Sequence, residues 1–326
     1  MFIVPFVIAF SKEKGLVDLP NARKIHKIPV SRLGGVAIWS STMLTFLFLV
    51  FLSYYPYGSL ISGILLGGTL MFFLGLVDDV YTLNAKFKLV IQLAIATLVY
   101  LLGIRFDTMI NPLGGVIHLG HFSYIFTLLW IVGISNAVNF IDGVDGLAGS
   151  VITVNSITLG IIAVAMVPPN PISALIGFIL AGSTLAFLTY NFNPAKIFMG
   201  DSGSLFAGFL LATLSITGVM KSAALAIILP FIVLAVPIID ITYSCLRRIS
   251  KGKSPFIADA EHIHHKLLKA GFSQKKTVAI LTSVAIVAGA IATLFAGSIK
   301  HYVIYIIALV FIMLLLNIVS LLTKKV

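Results

Sequence analysis

The sequence predicts an all-α polytopic membrane protein, and three observations carry that prediction. The 326-residue chain is 59% hydrophobic and only 10% charged, with a mean hydropathy of +1.11. A soluble core of this length leaves a largely polar exterior and needs far less apolar surface. Apolar runs of about 17–22 residues recur along the chain, matching the ~20 helical residues that cross a ~30 Å hydrocarbon core. When these runs are threaded alternately through a bilayer, 19 of the 22 Lys and Arg fall on one side. Only Arg105, Lys221 and Lys300 fall on the other, the asymmetry that marks cytoplasmic loops.

Spans are expected at about 33–53, 59–77, 88–104, 122–138, 148–167, 172–190, 205–220, 223–246, 277–297 and 302–323. The first run, Met1–Phe10, contains Pro5 and reaches only ~15 Å as a helix, so the count is about 10–11 transmembrane helices. The N-terminus is placed outside and the C-terminus inside. Little sequence remains between spans, so residues 1–326 read as a single integral-membrane domain. Arg105–His121 carries Asn111-Pro112 and Gly114-Gly115 between short apolar runs, the pattern of a small extracytoplasmic hairpin. Pro168-Pro169-Asn170-Pro171 reads as a rigid outer turn.

Composition also excludes several classes. The net charge of +11 lies in loops without aromatic interleaving, which fits anionic lipid and not nucleic acid. Cys245 is the only cysteine, so neither an intrachain disulfide nor a thiolate metal site can form. The N-terminus lacks a basic n-region and an A-x-A-like site, so no cleavable signal peptide is expected. Of eleven Asp and Glu, nine fall on the cytoplasmic side, leaving Asp107 outside and Asp240 within a span. A transporter more typically places ionisable groups near the midplane. Acids at the inner rim favour an enzyme that joins a water-soluble substrate to a lipid.

Four inner stretches hold the candidate chemistry. Asp78-Asp79 closes the third run, where paired carboxylates need attendant cations; Lys86 and Lys88 follow. In Asn136–Gly146, Asn136 and Asn139 share a helical face, and Asp142-Gly143 and Asp145-Gly146 repeat a turn signal. Amides beside carboxylates suit a nucleotide or sugar, and a polar helix end is the plainer alternative. Asn191–Ser204 sets Asp201 at the mouth of an apolar run, between Gly200 and Gly203. Unpaired helix N–H groups there attract phosphate, and Asp201 can hold a divalent cation against it; a helix cap is the alternative. Asn191 and Asn193 offer amides, Phe198 a stacking face and Lys196 a phosphate partner. In Ile249–Gln274, His262 and His265 fall at i, i+3, with Lys266 and Lys269 on a short helix ending at Gly271. Histidines flanked by lysines can hold a diphosphate or sugar. Asp240 either lines the site or pairs with Arg247 or Arg248.

Together, LVDD at 76–79, NAVNFIDGVDGLA at 136–148, NPAKIFMGDSGS at 193–204 and HIHH at 262–265 resemble the polyprenyl-phosphate N-acetylhexosamine-1-phosphate transferases. PNARKIHKIPVSRLGG at 20–35 and PIIDIT at 237–242 also look like family elements. The H-x-H-H loop is similar to the WecA/TagO-type branch, which moves GlcNAc-1-phosphate from UDP-GlcNAc to undecaprenyl phosphate. Ile263 interrupts the three consecutive histidines of the phospho-MurNAc-pentapeptide branch.

The resemblance implies Asp201 as the Mg²⁺ ligand, with Asp78 and Asp79 as further candidates and Mn²⁺ as the alternate metal. It implies Asp78, Asp79, Asp201, Lys88, His262, His264 and His265 as catalytic, and Asn139, Asp142, Asp145, Asn191 and Phe198 as substrate-binding. The implied partners are UDP-GlcNAc, undecaprenyl phosphate and the bilayer, with a homodimer compatible. The implied location is the inner membrane of a bacterium, active site facing the cytoplasm, at the first lipid-linked step of a teichoic acid, O-antigen or related glycan. A phospho-MurNAc-pentapeptide transferase or another UDP-HexNAc-1-phosphate transferase, and outside enzymes a cation-coupled transporter, are the alternatives.

Overall fold

The computed structural model of the protein describes residues 1–18, 29–52, 58–110, 116–166, 168–219, 228–252, 262–296, 301–307 and 309–310. Arg23, Lys24 and Lys27 of the basic loop, the Asn111–Gly115 turn, Lys221, Lys300, residues 253–261 and most of the expected last span lie outside the described residues.

Within them the apolar runs fold as helices in the expected order. They are α1 (Ile3–Glu13), α2 (Gly34–Leu52), α3 (Ser59–Tyr81), α4 (Ala85–Leu101), α5 (Phe122–Ile141), α6 (Leu147–Ala165), α7 (Pro171–Asn191) and α8 (Gly200–Leu214). After a π-helical turn, Ser215–Val219, come α9 (Ile228–Val233), α10 (Ala235–Ser250), α11 (Ile263–Lys269) and α12 (Gln274–Ala296). Among the described residues, α2, α3, α5, α6, α7 and α12 are long and apolar enough to cross a membrane. The chain is thus an all-α, multi-pass membrane protein. α4 and α8 occupy the runs expected at 88–104 and 205–220, while the 223–246 run breaks at Leu234 between α9 and α10. α1 is short, as its length required.

α6 carries no charged residue and is almost wholly buried, packed by α7, α8 and α12. Several hydroxyls inside the bundle bond their own helix, Thr153 donating to the Gly149 carbonyl and Ser135 to that of Ile131, since no water can serve them in hydrocarbon. Gln92 of α4 and Asn136 of α5 exchange amide hydrogen bonds at 2.8 and 3.3 Å. α3 lies tight on α8 because Gly75 faces the start of that helix; a Cβ there would collide with the Asp201 backbone. Small residues at such a crossing let two backbones approach.

Two short ladders complete the fold. β1 (Val17–Asp18) pairs antiparallel with β2 (Val30–Ser31), a feature no pattern in the basic loop foretold. β3 (Thr108–Ile110) and β4 (Val116–His118) form the expected hairpin, with Thr108 opposite His118. Ser31 also bridges to Ile197 in parallel. Phe198 N donates to Ser31 O, while Gly34 N and Gly35 N donate to Phe198 O and Met199 O. The segment before α2 is thereby fastened to the loop that leads into Asp201.

Candidate active site

The site starts where α3 ends. Thr82 takes a left-handed backbone, its N–H and that of Leu83 bond the Asp78 backbone and side chain, and Asn84 caps α4. This tight reversal brings Lys88, in the first turn of α4, back to Asp78. Lys88 Nζ lies 2.7 Å from Asp78 Oδ2 and 2.6 Å from Asp201 Oδ2. One ammonium therefore bridges two acids that are far apart in sequence, as paired carboxylates require. Lys86, the other candidate, is exposed, its N–H held by the Asn84 cap.

Asp201 Oδ1 accepts from Asn139 Nδ2 at 2.9 Å, and the same amide donates to Ser204 Oγ at 2.8 Å. Asp79 does something the pattern did not disclose. Its carboxylate accepts from the backbone N–H groups of Asp201 (2.8 Å) and Ser202 (3.0 Å) and from Ser202 Oγ (2.7 Å). The start of α8 was expected to receive a phosphate or a cap from Asp201 or Ser202. Instead α3 supplies the anion, and the first free N–H groups of α8 are already paired.

Asp142 follows α5 and is half-buried. Burial of its carboxyl, then the charges of Asp201 and Asp79, push its pKa well above the ordinary carboxylate value. Asp145 accepts from Asn193 Nδ2 (3.0 Å) and Ala195 N (3.1 Å), bracing the loop between α7 and α8. Asn191, 3% exposed, accepts from Gly146 N and donates to Ile197 O. Both Asp145 and Asn191 thus hold loops together. Phe198 is half-buried, its backbone tied to Ser31 and Gly34.

The histidines gather on α11 and its first flanking residue. Ring centroids of His264 and His265 are 4.2 Å apart, and those of His262 and His264 are 5.7 Å apart and nearly parallel. His264 is 1% exposed, and its Nε2 has no hydrogen-bond partner among the described residues. It rests on the Asp142-Gly143 turn, where a Cβ on Gly143 would collide with it. Burial, then the charge of His265, lowers its pKa from 6.5 to about 4. The histidines and the acids thus meet through one turn.

Asp78, Asp79, Lys88, Asn139 and Asp201 meet in this cluster, with Asp142 and the histidines beside it, whereas Lys86, Lys196, Lys266 and Lys269 are exposed. Ser204 and Gln92 escaped notice, being ordinary polar residues in sequence, and Asp240 was left undecided between two roles. Among the described residues no three His, Cys, Asp or Glu side chains form a ready metal cage. The chemistry does fit a hard cation. Asp78 and Asp201 offer oxygen donors beside Asp79 and Asp142, with Lys88 balancing them in part, and Mg²⁺ is commonly held by one or two carboxylates plus substrate phosphates.

The glycosyl transferase family 4 model matches residues 61–219. A probable undecaprenyl-phosphate N-acetylglucosaminyl 1-phosphate transferase of Bacillus subtilis is 38% identical over 283 residues, covering 86% of this chain and 77% of that protein. A decaprenyl-phosphate N-acetylglucosaminephosphotransferase of Mycobacterium leprae is 35% identical, with 86% and 77% covered. The undecaprenyl-phosphate alpha-N-acetylglucosaminyl 1-phosphate transferase of Escherichia coli K12 is 29% identical, with 91% and 81% covered. The motifs, the helical frame and this shared length converge: the chain belongs to glycosyl transferase family 4, among the polyprenyl-phosphate N-acetylhexosamine-1-phosphate transferases.

Proposed function

We propose that this protein transfers GlcNAc-1-phosphate from UDP-GlcNAc to undecaprenyl phosphate, releasing UMP and forming GlcNAc-PP-undecaprenol. The observation that carries the reading is Lys88 bridging Asp78 and Asp201 beside Asn139. The names of the relatives support both the lipid acceptor and the sugar donor.

An oxygen of the lipid phosphate attacks the β-phosphorus of UDP-GlcNAc. The bond from that phosphorus to the oxygen bridging the α-phosphate breaks, and UMP departs with the electron pair. The sugar C1–O bond is untouched, so no glycosidase carboxylate pair is needed. The barrier lies in gathering phosphate charges, and fixed cations lower it. Lys88 turns from its carboxylates to the diphosphate, and the histidines contribute donors at the sugar or diphosphate. Asp201 and Asp78 would hold Mg²⁺, or Mn²⁺, which when bound neutralises charge on the transferring group. Asp79 orients Asp201 through α8, leaving Asp78 as the acid of the pair that meets the lipid phosphate. Asn139 and Asp142 serve the nucleotide or sugar side, with Phe198 as a stacking face. Asn191 and Asp145 act by shaping the loop that carries Phe198.

The single domain is placed in the inner membrane with this cluster on the cytoplasmic side, where UDP-sugars occur. The test is UMP release and lipid-linked product from purified protein, UDP-GlcNAc, undecaprenyl phosphate and Mg²⁺, with EDTA and Asp201→Asn alongside. Turnover that needs lipid and metal and is lost in the folded variant supports the reading. Turnover of UDP-MurNAc-pentapeptide alone would reassign the donor. Substrate uptake without UMP from any donor would replace the enzyme with a transporter.

A further inference from the structure

Asp240 is an acid inside α10 that none of the transferase roles uses. It is 2% exposed, and its costly burial calls for partners. Oδ2 lies 2.7 Å from His262 Nδ1, and Oδ1 accepts from the Ile263 N–H, also at 2.7 Å. Ser244 Oγ stands 3.2 Å from the same ring nitrogen. One carboxylate thus holds both the ring of His262 and the first N–H of α11. We propose that Asp240 is the positioning residue of the histidine motif, fixing His262 as the Nδ1–H tautomer and setting α11 against the Asp142-Gly143 turn.

The argument is chemical. An ionised carboxylate only accepts, so the proton facing it belongs to Nδ1. The neutral ring is then left with its lone pair on Nε2. His262 consequently meets the transferred group as an acceptor, either from a sugar hydroxyl or from a protonated phosphate oxygen. The connection to the acids is continuous. His262 stacks on His264, His264 abuts Gly143, and the neighbouring Asp142 carboxyl feels the charges of Asp201 and Asp79. A base oriented by a third group is a recurring catalytic arrangement. The functional half of this inference rests on the transferase reading, but the tautomer does not.

The test pairs spectroscopy with a double-mutant cycle. In protein labelled with ¹⁵N-histidine in detergent or bilayers, the His262 signals, assigned by their loss in His262→Gln, should show Nδ1–H. Asp240→Asn keeps an oxygen for the Ile263 N–H but can present its amide to the ring, and should move the tautomer toward Nε2–H. Asp240→Asn should slow UMP release by about 10–100-fold in a monodisperse sample. On a His262→Gln background the same change should alter the rate by less than about twofold. An Nε2–H tautomer in the unmodified protein overturns the inference, as does an undiminished loss on the His262→Gln background. If the unmodified protein releases no UMP, the transferase reading falls, and the ¹⁵N spectra still decide the positioning role.

Discussion

Lys88 is the residue on which the charge balance turns. Replacing it with Met leaves Asp78 and Asp201 facing each other without the ammonium that lies 2.7 and 2.6 Å from them. UMP release should fall by about 10²–10³-fold, the usual loss when one fixed donor to developing charge is removed. A rate within a few fold of the parent would show that the lysine serves only to hold the acids together. His264 makes a separate, pH-dependent prediction. Its folded pKa of about 4 lies below the ordinary 6.5, so between these values the unfolded chain binds a proton that the folded chain does not. This contribution, about 3 kcal/mol at most, is complete above pH 6.5 and is lost as pH falls toward 4. The difference in thermal midpoint between the parent and His264→Gln should therefore shrink on acidification; a constant difference would contradict it. Gly143→Ala forces a methyl into the His264 ring. It should cost about 1–3 kcal/mol as overpacking, read as a lower midpoint with slowed turnover.

At the scale of elements, Asp79 ties α3 to α8. Asp79→Ala leaves the Asp201 N–H, the Ser202 N–H and the Ser202 hydroxyl without their acceptor, for a cost of about 2–4 kcal/mol. It should lower both the thermal midpoint and activity. Asp201→Asn, which removes a charge from the same cluster without uncapping the helix, should abolish activity with little loss of stability. Equal destabilisation by both would remove the distinction between the capping acid and the reacting one. Sequence could not draw that distinction. LVDD announces two acids at a helix end, but which of them turns to α8 depends on how α3 rotates in the bundle. In the same way Asn191 and Asn193 read as ligand amides, because nothing local shows that Gly146, Ile197 and Asp145 will claim them. The helices themselves were plainly legible, since a span must be apolar and long. The β1–β2 ladder was not, because two residues per strand leave no period to read.

For the whole molecule, sidedness is the prediction that matters, because the proposed donor, UDP-GlcNAc, would have to reach the site from the cytoplasm. Cys245 is the only thiol, so a Cys245→Ser background allows single cysteines to be placed at the exposed positions Lys86 and His121. In intact cells an impermeant maleimide should modify His121→Cys from outside and Lys86→Cys only after the membrane is opened. The reverse pattern would invert the topology drawn from the Lys and Arg asymmetry.

The contact between Asp79 and α8 also constrains how the protein is made. Asp79 emerges from the ribosome 122 residues before the N–H group of Asp201 that it accepts from, and Lys88 emerges 113 residues before the carboxylate it pairs with. Until α8 enters the bilayer, the rim of α3 carries adjacent acids with only part of their neutralising shell. The last of these helices to be synthesised therefore completes the charge pairing of one made much earlier. A chain interrupted before α8 is left with Asp79 lacking all three of the donors that this helix supplies.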